Sequence, residues 1–195
     1  MRTQNINPIT PQRKIIGVQN SFGNENIKFQ QGTTRVIYDS IPIDGRSEYR
    51  FFEEANTRLF PFTNMSSEGN RLGVGSALAV ERFYLSIVTV TDGEITDIQP
   101  LTTAFPGIMM GELSIEIANS QVVKQVPILS TIPNFNKSAQ HTLDQNFEFD
   151  TQVIISPLFE FVFKLRVATT AADATKYLRL TVEGAGSLLA PKQTM

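Results

Sequence analysis

The feature that most constrains the fold of this chain is a strict alternation of side chains between Leu158 and Val167. In the stretch LFEFVFKLRV, apolar residues occupy one face and mostly polar residues the other, which is the period of a β-strand with one buried side. The residues predicted to face inward are Phe159, Phe161, Phe163, Leu165 and Val167. The stretch therefore predicts a sheet that packs on one face.

The same alternation recurs in three other stretches, and long amphipathic helices are absent from the pattern. The inward-facing residues predicted there are Leu113, Ile115 and Ile117; Phe147 and Phe149; and Leu178, Leu180 and Val182. A strand followed by a loop is predicted for Ser47 to Arg58.

Turn chemistry agrees with a sheet. Asp92-Gly93 and Asn119-Ser120 each separate two apolar stretches, and both dipeptides are typical of hairpin turns. A further strand pair is predicted from Phe159–Ala168 and Tyr177–Glu183, joined by the loop TTAADAT.

About eight short strands separated by turns predict an all-β protein, a single β-sandwich of jelly-roll or Greek-key type. An up-and-down barrel is the alternative. Residues 34–183 are assigned to this domain, residues 1–33 to an extended N-terminal arm and residues 184–195 to a C-terminal tail. The arm has apolar residues at Ile15, Ile16 and Phe29 but too few to build a core, so it is either disordered or ordered along a neighbouring subunit. The second alternative is preferred, with these apolar residues as anchors.

Composition excludes several classes of function. The net charge of -2 and the scattered basic residues argue against nucleic acid as a specific partner. The absence of cysteine removes disulfides, thiolate zinc sites and thiol nucleophiles. Neither a signal peptide nor an apolar membrane span is recognisable, so we expect an unprocessed chain with no membrane partner.

Catalytic chemistry has little support in the sequence. His141 is the single histidine, and no serine or cysteine motif accompanies it. Glu53 and Glu54 are adjacent, so in a strand they point to opposite faces and do not form a facing acid and base. We expect solvated carboxylates there, although a glycosidase pair drawn from different strands stays open.

Two loops resemble ligand sites only in part. Gly73-Val74-Gly75 lacks the third glycine and the lysine of a phosphate loop, and a bend before a strand at Leu78–Val90 is the preferred interpretation. Asp92, Glu94 and Asp97 lie near a hairpin tip without the spacing of a calcium-binding loop. We therefore expect no catalytic residue, no cofactor and no metal site, and a protein that is not an enzyme.

The stretch RFFEEANTRLFPFTN, residues 50–64, holds four phenylalanines among polar residues. One interpretation places these rings in the core and under a loop. The other makes Phe60-Pro61-Phe62 a rigid apolar hook that docks on another subunit, since aromatic residues anchor interfaces and proline lowers the cost of ordering. The predicted subunit interface is Ile15, Ile16, Phe29, Phe60, Pro61 and Phe62.

The run from RFFEEANTRLFPFTN to RLGVGSALAVERFYLSIVTV resembles virion structural proteins of tailed bacteriophages, particularly the crAss-like phages. In these a similar aromatic-Asn-Thr-Arg-x-Phe-Pro stretch precedes a Gly-containing turn and a long apolar strand. The resemblance covers residues 45–90 and implies a capsid-associated β-domain that is present in many copies in a shell.

The function expected from the sequence is therefore that of a non-enzymatic virion structural protein, an auxiliary capsid or head component. Its expected partners are other copies of itself and other virion proteins, in an oligomer within a larger particle assembled in the host cytoplasm. A carbohydrate-binding jelly-roll module is the alternative, weakened by the absence of Trp and by only 4 Tyr. An enzyme of glycosidase or cupin type is the third possibility, and the single histidine argues against a cupin metal site.

Overall fold

The chain folds into a sandwich of two antiparallel sheets. The computed structural model describes residues 30–74, 76–101, 105–128, 147–168 and 171–189. The strands in this part are β1 (Gln30–Ile43), β2 (Glu48–Phe51), β3 (Ala77–Thr91), β4 (Glu94–Pro100), β5 (Glu112–Ile117), β6 (Ser120–Pro127), β7 (Phe147–Ile155), β8 (Phe161–Arg166) and β9 (Asp173–Leu189). Helical structure there includes a 3-10 turn (Ala55–Thr57) and a short helix α1 (Pro106–Met109).

The first sheet has the order β1-β9-β3, and two further strands share the far edge of β3. β7 pairs with the first half of β3 and β4 pairs with its second half. The second sheet has the order β2-β8-β5-β6. The all-β sandwich predicted from the alternation is thus confirmed.

Strand pairing is nested from the ends of the chain toward its middle. The first strand pairs with the last (β1 with β9), the second with the next to last (β2 with β8), and β3 with β7. The innermost pair is the hairpin β5–β6, and β4 is an additional strand folded back on β3. The chain therefore has the pairing of one long antiparallel hairpin, whose strands are divided between two sheets around a common core.

The core forms where the inner faces of the two sheets meet. Phe161 and Phe163 of β8 are fully buried and pack with Phe52, at ring-centroid distances of 5.3 Å and 5.7 Å from it. Leu178, Leu180 and Val182 of β9 are buried from the opposite sheet. These inward-facing assignments are thus confirmed. A strand with one solvent-exposed face places every second side chain in the core.

Gly184 marks a close approach between β9 and β3. A Cβ atom added there would lie 1.9 Å from the carbonyl oxygen of Ala79, beside a register shift in β3 between Val80 and Arg82. Only a residue without a side chain fits this contact, and the two long strands bend together around it.

Two details within the strands and turns differ from the sequence predictions. Phe159 is exposed, because β8 begins only at Phe161. The turn between β5 and β6 is formed by Ala118 and Asn119, both at positive φ, rather than by Asn119-Ser120. Asn tolerates that conformation at the second turn position, so the hairpin was predicted correctly and its turn was displaced by one residue.

The predicted pair of Phe159–Ala168 with Tyr177–Glu183 is wrong. β8 lies in the second sheet and β9 in the first, so the two strands do not form a hairpin with each other. Alternation fixes which face of a strand is buried but not which strand lies beside it. By contrast, Asp92-Gly93 closes the β3–β4 hairpin as predicted, with φ of 52° and 82°.

The sheet also extends beyond the predicted limits of 34–183. β1 begins at Gln30 and β9 continues to Leu189, and these two residues pair with each other. Residues 30–33 and 184–189 therefore contribute backbone pairing to the first sheet.

Phe161→Ala and Phe163→Ala are each expected to lower the free energy of unfolding by about 3–5 kcal/mol, because each leaves a cavity in a close-packed aromatic cluster. Phe159→Ala, at a half-exposed ring, is the matched control and should cost about 1 kcal/mol or less. Urea denaturation measures all three. Losses below about 1 kcal/mol at the two buried sites would contradict the packing. The sequence makes the same prediction for Phe147, whose side chain lies outside the described part.

Candidate interaction site

The segment between β2 and β3 leaves the second sheet and lies against the first. It begins at Phe52, whose backbone is left-handed at φ 71°, and continues through the 3-10 turn at Ala55–Thr57. A tight turn follows, in which the N–H of Phe62 donates to the carbonyl of Leu59 at 2.9 Å, with a cis peptide between Phe60 and Pro61. We call residues 58–62 the loop tip.

Asp39 of β1 anchors the first side of the loop tip. Its carboxylate is fully buried and accepts hydrogen bonds from Arg58 Nε at 3.0 Å, from Arg58 Nη2 at 2.7 Å and from the Phe52 N–H at 2.7 Å. Bidentate contact between a guanidinium and a carboxylate fixes orientation as well as distance. The segment from Phe52 to Arg58 is thereby tied to β1 at both ends.

Arg179 of β9 anchors the second side. This guanidinium donates to the Pro61 carbonyl at 2.7 Å and to Ser40 Oγ at 2.9 Å, and it lies 4.6 Å from the centre of the Tyr38 ring. Burial lowers the pKa of Arg179, which is held in this position by a carbonyl, a hydroxyl and an aromatic face. The backbone at Pro61 is thus fixed on the outer face of the first sheet.

Thr63 and Asn64 seal the neighbouring edge of β1. The Asn64 side chain accepts from the Tyr38 N–H and donates to the Val36 carbonyl, both at 2.8 Å. Thr63 Oγ1 donates to the Tyr38 carbonyl at 2.9 Å. These side chains replace a strand neighbour, so this part of the β1 edge is closed to pairing with another chain.

The anchored loop tip presents two apolar side chains to solvent. Leu59 is 74% exposed and Phe60 is 78% exposed, whereas Phe62 is half-buried with its ring centre 5.2 Å from that of Tyr177. The four phenylalanines of this stretch are therefore divided. Phe51 and Phe52 are in the core, and Phe60 points away from it.

The predicted interface residues are thus placed only in part. The structure brings Phe60, Pro61 and Phe62 together on one loop, while Ile15, Ile16 and Phe29 lie outside the described residues. Sequence reasoning missed Leu59, which extends the apolar surface. It also missed the anchors Asp39 and Arg179. Asp39 had a recognisable signal, since in VIYDSIPI it occupies an inward position between Ile37 and Ile41.

The other residues considered for catalysis or metal binding are not brought together into a site in the described part of the chain. Glu53 pairs with Arg50 at 3.0 Å on the surface, and Glu54 is exposed. His141 lies outside the described residues. Within the described ranges, no three His, Asp or Glu side chains are grouped so that they could hold a metal ion.

A groove of about 390 Å³ lies over β1, β9 and β3. Its lining includes the ion pair of Arg82 with Glu183, whose atoms Nε and Oε2 are 2.7 Å apart. Burial raises the pKa of the adjacent Tyr84, whose hydroxyl donates to Glu183 at 3.3 Å. The groove is the one other concave feature that we consider for a ligand.

Comparison with protein-family models, with curated proteins and with solved structures found no match to this chain. None of the helices in the described part of the chain is long and apolar enough to cross a membrane.

Asp39→Ala is expected to lower the free energy of unfolding by about 3 kcal/mol or more, because it leaves the largely buried Arg58 without its partner. Asp44→Ala is the matched control, since Asp44 pairs with Arg46 on the surface, and should cost about 1 kcal/mol or less. Urea denaturation gives both values, and limited proteolysis should show earlier cleavage at the loop tip only in the first variant. Equal losses would contradict the anchoring role.

Proposed function

We propose that this protein is a non-enzymatic virion structural protein, an auxiliary capsid or head component that assembles through the loop tip and its N-terminal arm. The observation that carries the proposal is the exposure of Leu59 and Phe60 on a loop that buried charged groups hold in place. Its partners are other copies of itself and other virion proteins, in a particle assembled in the host cytoplasm.

Preorganisation of the loop tip favours a role at an interface. Transfer of a Leu or Phe side chain from water into a partner's pocket contributes about 1.5–3 kcal/mol. Association usually also costs free energy for ordering a loop. Because Asp39 and Arg179 already hold the loop tip, much of that ordering is complete before a partner arrives. An exposed aromatic residue on a rigid support is typical of an interface anchor.

We also propose that the sandwich is of jelly-roll type. The nested pairing supports this, since with β4 set aside the sheets read β1-β9-β3-β7 and β2-β8-β5-β6. That is the order of a hairpin rolled up on itself, and jelly rolls serve as capsid domains, lectins and cupins. Because a fold does not specify a function, the loop tip carries more weight in the proposal than the topology.

Carbohydrate binding is the second candidate, and the groove over β1, β9 and β3 is the observation that favours it. Its lining offers hydroxyl, carboxylate and guanidinium groups, from residues such as Thr33, Glu183 and Arg82. However, none of the lining residues in the described part of the chain is an aromatic residue that could stack on a sugar ring. Binding on a glycan array that Thr33→Ala abolishes would favour this candidate over assembly.

Leu59→Ser combined with Phe60→Ser is expected to leave the melting temperature within about 2 °C of the parent, because both side chains are already in water. The same variant should lose incorporation into particles. Phe62→Ser is the comparison, and should lower the melting temperature because that ring packs on Tyr177. Differential scanning calorimetry and sedimentation of assembled particles measure the two effects. Full incorporation of the double variant would contradict the proposed role of the loop tip.

Removal of residues 1–29 is expected to leave the sandwich folded, because β1 begins at Gln30 and its pairing with β9 is retained. Incorporation into particles should weaken, because the apolar residues of the arm act only on a neighbour. Far-UV circular dichroism and sedimentation of assembled particles test the two parts separately. Unchanged incorporation of the shortened chain would exclude the arm from assembly.

A further inference from the structure

The β3–β4 hairpin ends in an exposed acidic strand. From Thr91 to Gln99 every described side chain except half-buried Ile95 is exposed, and Ile98 is 51% exposed. The segment from Thr91 to Pro100 contains three carboxylates and no basic residue. The hairpin thus presents apolar and negatively charged groups together on one strand.

The outer edge of β4 is available for pairing as far as the described residues extend, since among them β4 pairs only with β3. Unpaired strand edges are templates for an added strand. β7 shares this side of the sheet, but its described side chains, from Val153 to Ile155, are buried or half-buried. β4 is therefore the part of this edge whose side chains can contact an added strand.

The edge at β6 is protected differently. β6, at the edge of the second sheet, contains Lys124, a left-handed residue at Gln125 and Pro127. Its ladder with β5 also shifts register twice. Bulges, lysine and proline are the devices that keep an edge strand from pairing.

Charge identifies an occupant for the β4 edge. Residues 1–29 contain four basic residues and one acidic residue, a formal charge of +3, so the remaining residues carry -5 of the total of -2. Within the arm, the stretch RKIIGVQ from Arg13 to Gln19 has two positive charges and three β-branched residues, which suit a strand. We propose that this stretch pairs with the β4 edge of a second copy of the chain. The inference rests on the proposed function and names the surface that receives the arm.

Geometry favours a second copy over the same chain. The eleven residues from Gln19 to Gln30 span at most about 36–40 Å when fully extended. Gln30 pairs with Leu189, whereas the near end of β4, at Pro100, is level with Arg179. Ten residues of strand cover about 33 Å, and the four strand spacings to an added strand cover about 19 Å at right angles to it, which gives about 38 Å. An arm from the same chain would therefore have to be almost completely straight to reach this edge, at a high cost in conformational entropy, whereas an arm from a second copy has no such restriction.

The absence of cysteine permits a direct test. Full-length subunits carrying Ile16→Cys are mixed with subunits carrying Ile98→Cys, allowed to assemble and treated with oxidised glutathione. The expected product is a disulfide-linked dimer of one subunit of each kind. Val122→Cys, on the exposed part of β6, replaces Ile98→Cys in the control and should give at least about fivefold less product. No dimer at Ile98, or equal dimer at Val122, overturns the inference.

Charge exchange tests the same contact independently. Arg13→Glu with Lys14→Glu should weaken the cross-link about fivefold, as should Glu94→Lys with Asp97→Lys, which is the size expected for two exposed ion pairs. Mixing subunits that carry the two reversed sets should restore it. Lack of restoration overturns the pairing of these charges.

The results also separate this inference from the proposed function. Particles that form without the cross-link between positions 16 and 98 would show that the arm binds elsewhere, and the assembly role would stand. A cross-link confined within single chains of an Ile16→Cys, Ile98→Cys double variant would overturn the exchange between copies. Failure of the parent chain to assemble, alone or with other virion proteins, would overturn both proposals.

Discussion

The carboxylate of Asp39 is the contact on which the outer architecture of this sandwich depends. It belongs to β1 in the first sheet, yet it accepts the N–H of Phe52, directly after β2 in the second sheet, and the guanidinium of Arg58. One buried group therefore fixes the position of one sheet against the other and the course of the segment between them. A buried ion pair is a poor source of net stability, because desolvation offsets most of its attraction. Its value here is geometric.

These contacts explain how the stretch of residues 50–64 places some of its aromatic side chains in the core and others in solvent. With the N–H of Phe52 held by Asp39, the left-handed backbone at this residue directs its ring toward Phe161 and Phe163. Arg58 then turns the chain outward, so that Phe60 leaves the core. Arg179 holds the carbonyl of Pro61 on the far side. Hydrogen bonds to the backbone at Phe52 and Pro61 therefore determine which aromatic rings are buried and which are exposed. Hydrophobicity alone would have buried all of these rings.

The sequence was informative where one local rule decides the outcome. Alternation located the buried faces of β8 and β9, and Asp-Gly located the β3–β4 turn, because both depend on neighbouring residues only. It was not informative about which strands are neighbours, and the predicted pairing of β8 with β9 failed for that reason. The loop tip was left undecided between core and interface, since its position depends on Asp39 and Arg179. Neither anchor is close in the sequence to the groups that it contacts: Asp39 contacts Phe52 and Arg58, and Arg179 contacts Pro61.

Three edges of the two sheets differ in what opposes pairing with another strand. Part of the β1 edge is closed by Asn64, and the β6 edge is disrupted by bulges and proline. The β4 edge carries negatively charged side chains instead. Two β4 strands brought edge to edge would place Glu94 and Asp97 of both copies close together, and facing like charges destabilise a strand pair. A basic strand meets no such repulsion. Charge at this edge therefore discriminates against pairing with itself while leaving the backbone groups accessible, which is the combination required of a surface that receives one particular segment.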